Sequence, residues 1–367
     1  MKEKAFEVLK IFENNGYIAY IVGGYVRDYL IGKKTLDIDI CTNATPKDIV
    51  ELFDQVQVSD FSYGSVSIIY KKVKFDVTTF RKDIKYEDNR KPIKIKYISN
   101  LKHDLLRRDF TINTICMNSN GEIIDLLNGK KDIENKLIKT VSNPRTKIKE
   151  DSLRILRAIR FATILDFDIE PKTKKYIIKY GKNLEKLSGS RKKEELIKIF
   201  SSVNKEKGRQ LLLELKLDKY LKLDNLSNIV LCDDIIGIWS QLDVTSVYPF
   251  TKLEMEYISK IKELLNYKEI DEYTLYKYGL YLSTVVYDIK NKDKKILNKM
   301  YRELPIYNAK EIEITPIEIA NILERKPGSY LKNVISDLER QIVYGKVNNN
   351  KLDIEKYILE NQENILE

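Results

Sequence analysis

The chain has 367 residues, a net charge of +10 and a mean hydropathy of −0.38. That length predicts two or three domains with ample core. No run of 18 apolar residues is present, which excludes a transmembrane helix, and the charged N-terminus lacks the apolar stretch of a secretory signal. Three widely spaced cysteines, Cys41, Cys116 and Cys232, offer neither disulfide nor metal spacing and predict a reducing, cytoplasmic location. The lone histidine, His103, excludes sites that need two or more imidazoles; a Ser-His-Asp triad could use only His103, and carboxylate, metal and arginine chemistry is the most economical that remains.

In chain order, Ala5, Phe6, Val8, Leu9 and Phe12 recur at helical spacing and predict a helix over 2–14. A short strand, Tyr17–Val22, runs into Gly23-Gly24, and a helix follows from Tyr25 to Ile31. Leu36–Cys41 alternates apolar and acidic residues and predicts a strand with Leu36, Ile38 and Ile40 facing the core. Thr45-Pro46 opens a helix through Phe53. Residues 64–80 predict a hairpin. Residues 81–100, with Asn89, Arg90 and Pro92, predict a mobile loop plus a strand, and Thr111–Met117 is a further apolar segment. The first 135 residues or so therefore form an α/β domain. From Glu150 onward the pattern is helical, broken only by turn signals such as Ser188-Gly189-Ser190 and Lys326-Pro327-Gly328.

Charge is unevenly spread. Residues 171–225 hold 16 basic and 7 acidic side chains, nearly the whole basic excess, and favour a polyanionic partner. Arginine is scarce, 14 against 51 lysines, yet six lie between Arg107 and Arg160, where bidentate forks would suit phosphate.

Asp37 and Asp39 stand two apart, so a strand would project both carboxylates to one side. Adjacent acids repel unless a cation lies between them, and two Mg²⁺ ions about 3.5–4 Å apart would serve. Just upstream, Gly23-Gly24 lets backbone N–H groups approach a phosphate at a helix start, and Arg27 adds a fork. An Asp-x-Asp or a Gly-Gly by itself is weak; their combination is specific.

Gly23-Gly24-Tyr25-Val26-Arg27-Asp28 with Asp37-Ile38-Asp39 resembles the signature of the tRNA nucleotidyltransferase / poly(A) polymerase family, class II, and most of all its bacterial CCA-adding members. The resemblance continues in Asp76–Arg81, Arg107-Arg108-Asp109 through Asn113, Glu150-Asp151 through Arg154, Arg157 and Arg160, and Ser188–Leu196. It spans nearly the whole chain and is weakest over 226–305. It implies an α/β nucleotidyltransferase head of the polymerase-β-like type, 1–138, then an all-α neck, 139–225, body, 226–305, and tail, 306–367. It implies template-independent addition of the 3′ CCA of tRNA from CTP and ATP by two-metal chemistry, with Mg²⁺ the expected ion. No membrane or protein partner is indicated.

On this resemblance Asp37 and Asp39 are the metal ligands and Asp76 is a candidate third. Gly24, Arg27, Arg108 and Asp109 hold the triphosphate and sugar. Asp151 and Arg154, read as i, i+3 neighbours on one helix face, recognise the base: a carboxylate accepts from the exocyclic amine shared by C and A. Arg157 and Arg160 continue the row. The rotation per step puts Arg160 roughly opposite Asp151, which favours Arg157 as the ligand contact. Ser190 departs from the family pattern, where Glu often precedes the arginine at 191, and Cys41 replaces a small residue. The rival readings are an A-adding or CC-adding enzyme, a poly(A) polymerase, a small-molecule transferase, and a non-catalytic tRNA-binding protein.

Overall fold

The computed structural model describes residues 1–60, 64–87 and 91–363. Asn89 and Arg90 lie outside the described residues. The chain divides into two compact units, Met1–Ser227 with Ser246–Pro249, and Asn228–Thr245 with Phe250–Glu367.

In the first unit, α1 (Lys2–Asn14) buries Ala5, Val8, Leu9 and Phe12, the stripe its spacing predicts. It covers one face of a mixed sheet. β1 (Ala19–Val22) ends at Gly23 and leads into α2 (Gly24–Leu30); β2 (Asp39–Thr42) leads into α3 (Pro46–Leu52). Thr45 closes a capping box with Asp48, and Pro46 takes the first helical position, where no N–H is needed. β3 (Val56–Asp60), β4 (Ser65–Tyr70) and β5 (Val73–Thr79) follow. β6 (Arg81–Glu87) and β7 (Lys91–Tyr97) form a separate antiparallel pair. α4 (Leu101–Arg107), a single turn at Thr111–Asn113, β8 (Cys116–Met117), β9 (Ile123–Ile124), α5 (Gly129–Glu134) and β10 (Leu137–Ile138) complete this half. The seven-stranded sheet runs β3-β4-β5-β2-β1-β8-β9, with only β2 and β5 parallel.

Helices then take over: α6 (Pro144–Glu150), α7 (Leu153–Leu165), the short β11 (Asp168–Ile169) paired to β10, α8 (Pro171–Tyr180), α9 (Gly189–Phe200), α10 (Lys205–Glu214) and α11 (Asp218–Leu221). The second unit is helical. Its last four helices, Lys294–Arg302, Pro316–Ile322, Tyr330–Val343 and Lys351–Glu360, accompany a core that includes Ile306, Val334, Leu338, Ile354 and Ile358.

Three expectations are corrected. The strand at Leu36–Cys41 starts only at Asp39, and Leu36 is 76% exposed rather than in the core. The reason is the partner: β1 pairs Val22 with Asp39 and then turns away at Gly23, so nothing continues the ladder outward. Within 81–100, Arg81–Glu87 and Lys91–Tyr97 form two paired strands where a loop plus one strand is expected, because Arg81–Asp83 find register with Ile95–Tyr97. Asp151 is not on the α7 helix. It has extended backbone (φ −145°, ψ 108°) between α6 and α7, and its carboxylate accepts a hydrogen bond from Leu153 N at 3.0 Å. A short acidic side chain satisfies a helix start better than a helix interior.

Candidate active site

The end of β1, the start of α2, the loop before β2, the end of α4 and the start of α7 surround one cleft of about 510 Å³. It is lined by Gly23, Gly24, Arg27, Asp37, Asp39, Arg107, Arg108, Asp109, Asn113, Asp151, Arg154, Arg157, Arg160 and Phe161. Asp37, Asp39, Gly24, Arg27, Arg108, Asp109, Asp151, Arg154, Arg157 and Arg160 therefore meet in one place, Asp76 is not among the lining residues, and six arginines face four aspartates.

Gly23 has φ +83° and ψ −131°, a conformation other residues adopt only with strain. A Cβ there would lie 3.8 Å from Asp39 Oδ2 and 3.9 Å from Arg108 Nη1, so the bare backbone borders both acid and base. Ile38 between Asp37 and Asp39 is buried, which commits the two flanking residues to the cleft side. The Asp39 carboxyl is pushed up to about 6, first by loss of water around it, then by the Asp37 charge, with Arg108 opposing and Asp76 adding. Two carboxylates with too little counter-charge make a donor set that suits a hard divalent cation.

Asp76 faces Asp39 in register on the parallel neighbour β5. Its Oδ1 accepts from Ser67 Oγ at 2.5 Å and lies 3.4 Å from Lys74 Nζ. Among the described residues no three His, Cys, Asp or Glu side chains converge to hold a metal.

The basic wall is held from behind. Asp104, fully buried, pairs with Arg107 (2.8 Å) and Arg108 (3.2 Å) and accepts from Arg81 N. Asp109 accepts from Arg157 Nε (2.7 Å), Asn113 Nδ2 (3.1 Å) and its neighbour Phe110 N. Burial alone would raise the Asp109 carboxyl, but the Arg157 guanidinium and these donors hold it far below the ordinary range. Arg27 pairs with Asp28 and donates from Nη1 to Asn113 Oδ1 at 2.7 Å. Gly129 lets α5 pack against this segment: a Cβ there would meet Thr111 O at 2.3 Å. The buried Asp132 of α5 accepts from Thr111 Oγ1 at 2.6 Å.

Asp151 and Arg154 do not share a helix face, since Asp151 precedes α7, although both line the cleft. Arg154 donates to Glu150 Oε2 (2.7 Å), Lys147 O (2.8 Å) and Arg107 O (2.9 Å), tying α6, α7 and α4 together. The ion pair of Asp151 is with Arg191 on α9, at 3.7 Å, and burial outweighs Arg191 and Arg154 to raise its carboxyl. The rotational argument against Arg160 fails with it, since Asp151 lies off the helix. Arg154, Arg157 and Arg160 all line the cleft, and Arg160 is anchored on the buried Glu195 at 2.9 Å. Buried polar atoms still lack partners around this wall: Arg108 Nε, Ser152 Oγ, Arg191 Nη1 and Glu195 Oε2. Such atoms are costly unless a ligand answers them.

Residues 19–139 match the Poly A polymerase head domain, 166–224 the probable RNA- and SrmB-binding site of polymerase A, and 198–358 tRNA nucleotidyltransferase domain 2. The CCA-adding enzyme of Anoxybacillus flavithermus is 32% identical over 98% of this chain and 97% of its own length. That of Enterococcus faecalis is 31% identical over 95% and 93%. The chain belongs to the CCA-adding enzyme family. The Bacillus stearothermophilus CCA-adding enzyme, crystallised in complex with CTP, superposes with a TM-score of 0.90 at 25% identity, covering 98% of this chain and 97% of that one. The fold is thus the nucleotidyltransferase head and helical C-terminal region of that family.

For a CCA-adding fold, sequence reasoning missed the residues that hold others in place. Asn113 and Glu195 stand inside recognised motifs, and their polar side chains were the available signal. Asp104 follows the α4 start at a spacing of three and four from Arg107 and Arg108, an ion-pair pattern that could have flagged it. Phe161 carries no sequence signal beyond adjacency to Arg160.

Proposed function

We propose that this chain adds and repairs the 3′-terminal CCA of tRNA, using CTP and ATP and releasing pyrophosphate, without a nucleic-acid template. The observation that carries the reading is the cleft itself: two crowded carboxylates on one side, anchored arginines on the other, and a half-buried acid, Asp151, beside its helical wall.

Asp37 and Asp39 would hold the divalent ions, with Mg²⁺ our choice among them. When bound, such ions supply charge stabilisation at the reacting phosphate and favour the ionised 3′ hydroxyl. The rest follows from the chain's own groups. The Gly23-Gly24 backbone has no side chain to exclude a phosphate. Arg27, Arg107, Arg108, Arg157 and Arg160 attract and orient the triphosphate, and because each is already fixed by a carboxylate partner, little ordering is needed on binding. Asp109 is shared among Arg157, Asn113 and Phe110, so it orients Arg157 as well as offering an acceptor to the sugar. Asp151 accepts from the exocyclic amine of C or A; U and G lack it there and would leave a half-buried acid unanswered. Arg154, which lines the same cleft, would donate to the ring acceptors of the base, while Arg191 is the counter-ion of Asp151.

The exposed lysines 172, 175, 179 and 182 on and after α8 give the acceptor stem a phosphate-binding face. The division into head, neck, body and tail belongs to the same reading, as does a cytoplasmic location, which the three buried free cysteines support. Among the described residues no helix is long and apolar enough to cross a membrane.

The test uses tRNA transcripts ending before CCA, after C and after CC, with CTP and ATP supplied singly and together, and sequencing of the 3′ ends. Ordered C, C, A addition that then stops is expected. A on the CC-ended tRNA only, or C only, would move the protein to a split activity. Long A tails would make it a polymerase, and tight tRNA binding without incorporation would make it a binding protein.

A further inference from the structure

Phe161 is the one aromatic side chain lining the cleft among the described residues, and it is 8% exposed. Three guanidinium carbons surround its ring: Arg160 at 4.4 Å from the centroid, Arg27 at 5.2 Å and Arg157 at 5.4 Å. These three come from two separated stretches of chain, α2 and α7, and each binds a different carboxylate on its outer side, Glu195, Asp28 and Asp109. Phe110 meets the same ring edge-on at 5.8 Å. Three like charges gathered this closely repel one another, and their separate carboxylates would let them splay apart. A single π system between them supplies a shared attraction toward the centre of the cleft.

We propose that Phe161 is a positioning residue for nucleotidyl transfer: its ring gathers Arg27, Arg157 and Arg160 into one array that receives the triphosphate of either nucleotide. The inference deepens the proposed function and rests on it for the identity of the substrate. The array acts on the part common to CTP and ATP, so Phe161 governs affinity for both alike and leaves the choice of base to Asp151 and its neighbours.

The test replaces Phe161 site-specifically by pentafluorophenylalanine, which keeps the ring's outline but reverses its electrostatic face, alongside Phe161→Tyr and Phe161→Leu. Binding of inorganic tripolyphosphate is measured by calorimetry on the full chain, and KM and kcat for CTP and ATP on tRNA substrates. The fluorinated and leucine proteins are expected to bind tripolyphosphate about tenfold more weakly, to show KM raised equally for CTP and ATP, and to keep the wild-type ratio of the two; Phe161→Tyr is expected to stay near wild type. A fluorinated protein that binds tripolyphosphate as wild type does overturns the inference, because a packing role alone depends on shape. So does a loss confined to one nucleotide. If the wild-type chain adds no nucleotide to tRNA while the fluorinated form still loses tripolyphosphate, the proposed function fails and the array stands.

Discussion

Asp39→Asn should stabilise the metal-free protein while abolishing nucleotide addition. In the folded chain the Asp39 carboxyl is pushed up to about 6, by loss of water and by the nearby Asp37 and Asp76 charges. An unfolded carboxyl titrates near 3.9, so about two pH units at about 1.4 kcal/mol each set a ceiling of roughly 3 kcal/mol. Asp39 is exposed on the cleft side, and solvent screening reduces that to about 1 kcal/mol. The sign follows from the direction of the shift. A raised carboxyl binds its proton more tightly when folded, so the wild type carries the penalty above pH 6 and loses it as pH falls toward 4. In EDTA at pH 7.5 the variant should melt about 2–4 °C higher, as expected for about 1 kcal/mol in a unit of this size. The gap should close at pH 4.5. Millimolar Mg²⁺ should reverse the order, because only the wild type gains from ligand binding. Scanning calorimetry under the three conditions checks this. An Asp39→Asn protein no more stable than wild type in EDTA at pH 7.5, or a gap that persists at pH 4.5, refutes the reasoning.

Asp104→Ala leaves Arg107 and Arg108 uncompensated and Arg81 N without its acceptor, and should destabilise the first unit by about 3–5 kcal/mol in urea unfolding. Gly23→Ala meets no steric clash, its Cβ standing 3.8 Å from Asp39, but pays for its positive φ; a loss of order 1–3 kcal/mol is expected, with incorporation reduced at least tenfold in a single-turnover assay. tRNA affinity should fall linearly on a log–log plot against salt, and replacing Lys172, Lys175 and Lys179 together by Gln should reduce the slope by about 3, a value near zero excluding this face from the interface.

The chemistry was legible where it depends on residue type at fixed spacing. Gly23-Gly24 ahead of Asp37-x-Asp39, and arginines clustered between 107 and 160, point to one candidate site from residue type alone, and the fold brings Gly23, Gly24, Asp37, Asp39 and five of those arginines into one cleft. Helix positions with buried stripes, α1 above all, were legible for the same local reason. What the sequence could not determine is how stretches distant along the chain meet. Leu36 alternates like a strand residue, yet it lies outside the sheet because β1 turns away at Gly23. Asp151 and Arg154 have the spacing of a helix pair, but Asp151 ends one helix before the other begins, and Arg154 is claimed by Glu150 and two carbonyls. Local spacing sets what a side chain can do. Which partner it finds is decided by the fold, since Asp104, Asn113, Phe161 and the pair Arg191 and Glu195 are brought together from α4, the Thr111–Asn113 turn, α7 and α9, and only packing settles which charge each one answers.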